Sequence, residues 1–202
     1  MSNEWDDHAG GWEDEPSVHV FADHVFGSLV DVVDLKGLRV LDFGCGTGLL
    51  SERLSGQVRE IVALDASTKM IEQLERKSLP NVHPVAGMLT PDLIDREDSL
   101  IRPFDVVVAS SVCAFIPEYD DTLSLLRPLL VANGKYVQWD WLAKKEDDDF
   151  GFSEDRLRRA LRGAGFANVT VTRPFSIPGP AGEMLVLMAT AEKPGPEPSA
   201  QS

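Results

Sequence analysis

Three glycines on alternate positions follow an apolar run and an acid in Val40-Leu41-Asp42-Phe43-Gly44-Cys45-Gly46-Thr47-Gly48. Backbone without side chains can turn sharply and let a ligand come close, and the chemistry this permits is the seating of a nucleotide-like molecule on main-chain groups. Twenty-three positions after Asp42, at the end of a second apolar run, stands Asp65. A carboxylate placed there can accept two hydrogen bonds from a ribose diol. The dinucleotide pattern Gly-x-Gly-x-x-Gly is not completed, because its last position is Leu49, which disfavours close approach of a pyrophosphate. Glycine turns also close many αβ units for packing alone, so the turn needs its surroundings to be read.

The elements that must position these residues follow from periodicity. Residues 39–42 read as a short buried strand and 47–54 as a helix, which puts the glycines at a strand-to-helix turn. Further strands are expected at 60–65, 82–86, 104–110, 135–141, 168–173 and 184–190, with helices at 67–77, 119–130 and 153–164. Pro128 should kink or shorten the helix it falls in. An amphipathic helix is expected over 16–33, from the helical spacing of Val18, Phe21, Ala22, Val25, Leu29 and Val32 after Pro16. Alternating strands and helices with near-continuously apolar strands predict an α/β fold, a mostly parallel seven-stranded sheet covered by helices on both faces. The Pro- and Gly-rich stretch 174–182 breaks the alternation and predicts a turn-back with an antiparallel final strand. The expected organisation is a cap segment and helix over 1–34, a core over 35–193 and a disordered tail over 194–202.

Composition bounds the rest. A chain of 202 residues can bury roughly 70% of its unfolded surface as one domain without staples. Two cysteines, Cys45 and Cys113, without Cys-x-x-Cys spacing or a nearby His, argue against a zinc site or a disulfide framework and for a reducing, cytoplasmic setting. No metal is expected. The N-terminus is acidic rather than basic then apolar, and no run of 18 apolar residues occurs, so neither export nor membrane insertion is expected. A formal net charge of −14 repels phosphate backbones, which disfavours a nucleic-acid partner.

Read together, these motifs resemble the class I S-adenosylmethionine-dependent methyltransferases of the small-molecule type, whose first motif is similar to Val-Leu-Asp-x-Gly-Cys-Gly-Thr-Gly. Asp65-Ala66-Ser67 with Met70-Ile71 resembles the ribose-binding strand end and the helix after it, and Ala86-Gly87-Met88 falls at the adenine-contacting motif. Phe104 to Ser110 and Ala164-Gly165-Phe166 resemble the fourth strand and the turn before the sixth, so the likeness spans about residues 38–192. It implies a Rossmann-like sheet and S-adenosyl-L-methionine as cofactor. It places the backbone of Gly44, Cys45 and Gly46 against the methionine part, Asp42 toward the ammonium group, Asp65 on the ribose hydroxyls, Ala66 and Met70 beside the adenine, and Ser110 opposite the ammonium. One departure stands out. Many members carry an acid where this chain has Met88, which can pack on the adenine ring but cannot accept from its amino group.

The acceptor is expected to be a small, aromatic or apolar molecule, methylated by direct displacement. The four tryptophans fall in two places, Trp5 and Trp12 before the first helix and Trp139 and Trp141 at the end of the fifth strand, and both groups are candidates to wall one cavity. Strand periodicity sets Trp139 and Trp141 on one face and Asp140 on the other, and the alternative for the tryptophans is core filling. Trp12 is the candidate for cofactor or lid contact. If the acceptor must lose a proton, His19, His24 and Asp140 are candidates for a base, with His8, Glu118 and Tyr119 behind them and His83 read as structural. Cys113 reads as an apolar filler and the acidic run Glu146 to Asp149 as a solvated loop. Two other functions stay open: a nicotinamide-dependent oxidoreductase, against which stand Leu49 and the absence of a Tyr-x-x-x-Lys pair, and a non-catalytic binding protein of the same fold, which Met88 favours.

Overall fold

The computed structural model describes residues 4–143, 151–179 and 182–196. The chain opens with two 3-10 turns, Glu4–Asp7 and Ala9–Asp14, that make a strap ahead of helix α1 (Pro16–Val30), which starts on a proline as expected and ends three residues earlier than the apolar spacing predicted. Then follow β1 (Arg39–Phe43), α2 (Leu49–Ser55), β2 (Glu60–Asp65), α3 (Thr68–Arg76), β3 (Val82–Ala86), α4 (Pro91–Arg96), α5 (Asp98–Ile101) and β4 (Phe104–Ser110). After them come α6 (Tyr119–Leu126), β5 (Leu130–Trp141), α7 (Glu154–Gly163), β6 (Ala167–Gly179) and β7 (Gly182–Glu192).

The seven strands form one sheet in the order β3-β2-β1-β4-β5-β7-β6. The first five run parallel and β7 runs antiparallel between β5 and β6. Both faces are covered, which is why the central strands are mostly apolar. Phe43, Leu64, Val107, Tyr136 and Leu187 face one core, and Val40, Ile61, Val108, Trp139 and Val186 face the other.

As expected, Pro128 shortens its helix: α6 ends at Leu126 and the chain continues as a 3-10 turn, Arg127–Leu129. Two differences from the sequence reading have local causes. β5 reaches back to Leu130 through a register shift against β4, with Asn133 in the left-handed region at φ 62°. The stretch 174–179 is not an irregular turn: β6 keeps pairing to Gly179, opposite Gly182. Pro174 falls at a register shift and Pro178 pairs on an edge strand, the places where a sheet tolerates proline. The acidic run 146–149 and most of the expected tail lie outside the described residues. No helix among the described residues is long and apolar enough to cross a membrane.

Buried Arg39 ties the start of β1 to its neighbours. Its Nε pairs with Glu60 at 3.1 Å, its two terminal nitrogens donate to the carbonyls of Arg102 and Ser99, and its guanidinium lies 4.2 Å from the centre of the Phe104 ring.

Candidate functional site

The glycine turn leaves the carboxyl end of β1, which has β2 on one side and β4 on the other, so it lies where the strand order reverses. Gly44, Gly46 and Gly48 take φ of 71°, 54° and 83°, a conformation that side chains resist. They do different work. A Cβ on Gly44 would collide with the Val112 side chain and one on Gly48 with Leu74, so these two glycines admit the protein's own packing. A Cβ on Gly46 would meet nothing within 4 Å. Gly46 is thus the position where bare backbone faces open space.

Two carboxylates flank that space. Asp42 is buried, and its Oδ2 accepts from the Ser51 hydroxyl at 2.7 Å while Oδ1 has no hydrogen-bond partner. Burial pushes its pKa up to about 6, the Ser51 bond opposing and the Asp65 charge adding. Asp65, at the end of β2, accepts from Ser67 N–H and Gly46 N–H, each at 2.8 Å. Burial raises its pKa too, with those two N–H bonds opposing and Asp6 adding. Ser67 caps α3, accepting from Met70 N–H at 3.1 Å. Cys45 is buried with its thiol held protonated by burial and by the charges of Asp42 and Asp65.

The remaining candidates spread around this centre. Ala66 is exposed beside Asp65, and Met70 is buried on α3. Gly87 follows β3 and donates to the Asp65 carbonyl at 2.8 Å. Met88 is 72% exposed. Ser110 ends β4, half-buried.

The strap crosses the same end of the sheet. Asp6 accepts from Ser67 Oγ at 2.6 Å, Glu13 pairs with Lys77 at 2.8 Å, and Trp5 meets Phe115 edge-on at 5.0 Å. Burial disfavours charge on Glu13, but Lys77, Thr47 and His19 outweigh it and hold its pKa below the usual range. Trp12 packs against Trp5 at 6.2 Å, half-buried. Sequence reasoning missed Asp6, Glu13 and Phe115; only the position of Glu13 next to Trp12 marked any of them.

The two tryptophan groups do not share one wall. Trp139 is buried and its indole N–H donates to Ser28 Oγ at 2.9 Å, so it fills the core under α1. Trp141 lies 5.3 Å from Phe21, which in turn meets Phe175 at 5.6 Å, a second aromatic group apart from Trp5, Trp12 and Phe115. Of the base candidates, His19 hydrogen-bonds the Glu13 carbonyl at 2.9 Å and His24 stacks on Phe175 at 5.0 Å. Asp140 does not stand at a loop: it is fully buried within β5, as is the Tyr119 side chain at the start of α6, so neither reaches an acceptor. His83 is exposed near Glu60. Among the described residues no group of three His, Cys, Asp or Glu side chains could hold a metal ion. Two cavities, of about 270 Å³ beside Lys135 and Thr190 and about 730 Å³ beside Leu35 and Gln57, open at the opposite end of the sheet from the glycine turn.

Known proteins are similar to this chain in part of the sequence and in fold. A family model described as a methyltransferase domain matches residues 41–136. An uncharacterised methyltransferase of Schizosaccharomyces pombe is 31% identical over 106 residues, half of this chain and 37% of its own length. The chain spans little more than a third of the length of such curated relatives. Among solved structures, DhpI in complex with SAH superposes with a TM-score of 0.70 at 24% identity, over 95% of this chain and 94% of that one. A putative methyltransferase, solved with the Haloferax volcanii Trm112 methyltransferase activator, superposes with a TM-score of 0.78 at 17% identity, over 96% and 99%.

Proposed function

We propose that the chain, whose residues 41–136 match a methyltransferase domain, binds S-adenosyl-L-methionine at the glycine turn as a class I methyltransferase and transfers the methyl group to a small aromatic or apolar molecule. One observation carries this reading most: a fully buried carboxylate oxygen, Asp42 Oδ1, is left without a donor beside a left-handed Gly46 that opens to space. A buried acceptor without a partner is costly, and an ammonium group would satisfy it. The residues present fit the group.

When bound, the cofactor supplies a sulfonium methyl group, an electrophile that an aligned nucleophile takes by direct displacement. The chain's part is placement. In this reading Asp42 holds the ammonium, and the Gly44 to Gly46 backbone lies along the methionine stem. Asp65 turns its remaining lone pairs to the ribose hydroxyls. Ala66, Met70, Gly87 and Met88 border the adenine, with Ser110 opposite the amino-acid end. Because the Met88 thioether is only a weak acceptor, the adenine amino group depends on backbone partners. Trp12 and the rest of the strap cover the site and exclude water.

Alignment of two reactants is worth on the order of 7 to 11 kcal/mol in well-oriented systems, so little acid–base chemistry is demanded of the protein. His19 and His24 stand on α1, His19 bonded to the strap, and remain the candidates where the acceptor must lose a proton. The aromatic rings of Trp5, Trp12 and Phe115 on the strap side offer apolar walls for a small acceptor. The test is release of S-adenosylhomocysteine from S-adenosylmethionine in the presence of a panel of phenols, carboxylic acids and amines. Release above background with an aromatic or apolar member is expected; no release with any member would count against a transferase of this class.

A further inference from the structure

Beneath the turn that follows β4 lies a buried polar cluster that the transfer chemistry above does not use. Asp140 accepts from Ala114 N–H through Oδ1 at 3.2 Å and from Gln138 Nε2 through Oδ2 at 2.7 Å. Gln138 is buried too, and its Oε1 accepts from the hydroxyls of Tyr119 at 2.6 Å and Tyr136 at 2.9 Å. Tyr136 completes the cluster by meeting Cys113 Sγ at 3.4 Å. An acidic side chain this deep disfavours its own charge, and a strand with a Leu or Val there would pack at no such penalty. Its attachments say what it does.

The turn it holds touches the proposed cofactor site on two sides. Ser111 is in the left-handed region at φ 53°, with its N–H on the Trp139 carbonyl at 2.7 Å. The next residue, Val112, fills the space that a side chain on Gly44 would need. Three positions on, Phe115 sets its ring against Trp5 of the strap. The backbone N–H of Ala114 lies between these two contacts and is gripped by Asp140.

We propose that the ionised Asp140 carboxylate is a positioning residue: it fixes the turn of residues 111–115 so that Val112 backs the glycine cradle and Phe115 meets the strap, and it loosens that hold when protonated. The inference rests on the cofactor reading above. An ionised carboxylate is the stronger acceptor for the Ala114 N–H, which gives the charge its role. The titratable groups around it are Cys113 on the turn, Tyr119 on α6 and Tyr136 on β5, all held neutral because burial pushes their pKa values well up. Across the Tyr119 ring lies the Arg156 guanidinium of α7, 5.5 Å from its centre. Burial lifts Asp140 to about 7 against the pull of Gln138 and of the Ala114 and Cys113 N–H groups, which places the change in the neutral range.

The experiment compares S-adenosylhomocysteine affinity of the full chain and of Asp140→Asn by calorimetry at pH 6, 7 and 8. At pH 8 the variant should bind about tenfold more weakly, and the gap should close at pH 6, where Asp140 of the unaltered chain is itself protonated. The pH dependence of Asp42 is common to both proteins and cancels in the ratio. A gap that is absent at pH 8, or constant from pH 6 to 8 as a merely structural role would give, overturns the proposal. Failure of the unaltered chain to bind at any pH would instead overturn the cofactor reading. Should the variant not fold, the Ala114 and Phe115 amide proton shifts of the unaltered chain, followed by NMR, should titrate together near pH 7; flat shifts would refute the inference.

Discussion

At the scale of single residues, the site is a set of acids whose environments differ. Asp42 is enclosed with one oxygen unpaired, Asp65 is nearly enclosed with both oxygens engaged, and Met88 stands exposed. Asp65→Asn keeps the shape and removes the charge that favours ribose hydroxyl donors. It should weaken S-adenosylhomocysteine binding at least tenfold, about 1.4 kcal/mol, and lower the melting temperature, because the amide nitrogen leaves one of the Ser67 and Gly46 N–H donors without its acceptor. Binding within twofold of the unaltered chain would remove Asp65 from the site. Conversely, Met88→Asp adds an acceptor at an exposed position and should tighten binding several-fold, about 1 kcal/mol for one hydrogen bond; unchanged affinity would place the adenine elsewhere. Leu49, read from sequence as excluding a pyrophosphate, is buried at the start of α2, so its side chain is a core residue as well as a departure from the dinucleotide pattern.

At the scale of elements, the strap and the start of β1 matter most. The strap is held by Asp6 on Ser67, Glu13 on Lys77 and Trp5 on Phe115, three attachments to three places around the glycine turn. Trp12→Ala removes the ring packed on Trp5 and should weaken cofactor binding by several-fold with little loss of global stability; unaltered affinity would end the idea that the strap covers the cofactor. β1 is anchored from below by Arg39. Arg39→Ala leaves the carbonyls of Ser99 and Arg102 without their donor and takes from Glu60 one of its two arginine partners, Arg102 remaining, and should destabilise the fold by about 3 kcal/mol or more, read from denaturant midpoints. A loss below about 1 kcal/mol would show the pair to be dispensable.

Much of the architecture is legible in the sequence because strands buried on both faces are near-continuously apolar. Residues 60–65, 82–86 and 104–110 are read to their ends, and the Ser67 and Ser153 caps mark their helices. The short helices α4 and α5 are not, although Thr90 before Pro91 is a cap followed by a favoured first helical residue. The polar cluster is hidden for a different reason. Gln138 and Asp140 alternate with Trp139 and Trp141, a pattern that reads as a strand with one wet face, whereas helices cover both. Likewise the contact of Asp6 with Ser67 joins positions 61 apart and leaves no trace in local spacing.

At the scale of the whole molecule, buried acids and surface charge act together on stability. The pKa of Asp42 is raised to about 6 and that of Asp140 to about 7, so the folded state holds protons that the unfolded chain has released above about pH 4. Stability should therefore fall as pH rises from about 4 through those values, by up to roughly 1.4 kcal/mol per pH unit for each group in its window. Self-repulsion from 33 acids against 19 lysines and arginines works in the same direction. Glu13 and Glu60, whose pKa values are lowered, act oppositely but only below their ordinary range. Thermal melting at constant ionic strength should give a higher midpoint at pH 5.5 than at pH 8; a flat or rising profile would contradict the buried-acid electrostatics.

The proposed cofactor site is tested most directly by calorimetric titration of the full chain with S-adenosylhomocysteine, with a nicotinamide dinucleotide titrated in parallel. One molecule bound per chain at micromolar affinity, with no heat from the dinucleotide, is the predicted result. Dinucleotide binding without S-adenosylhomocysteine binding would contradict the assignment of the Gly44 to Gly48 turn.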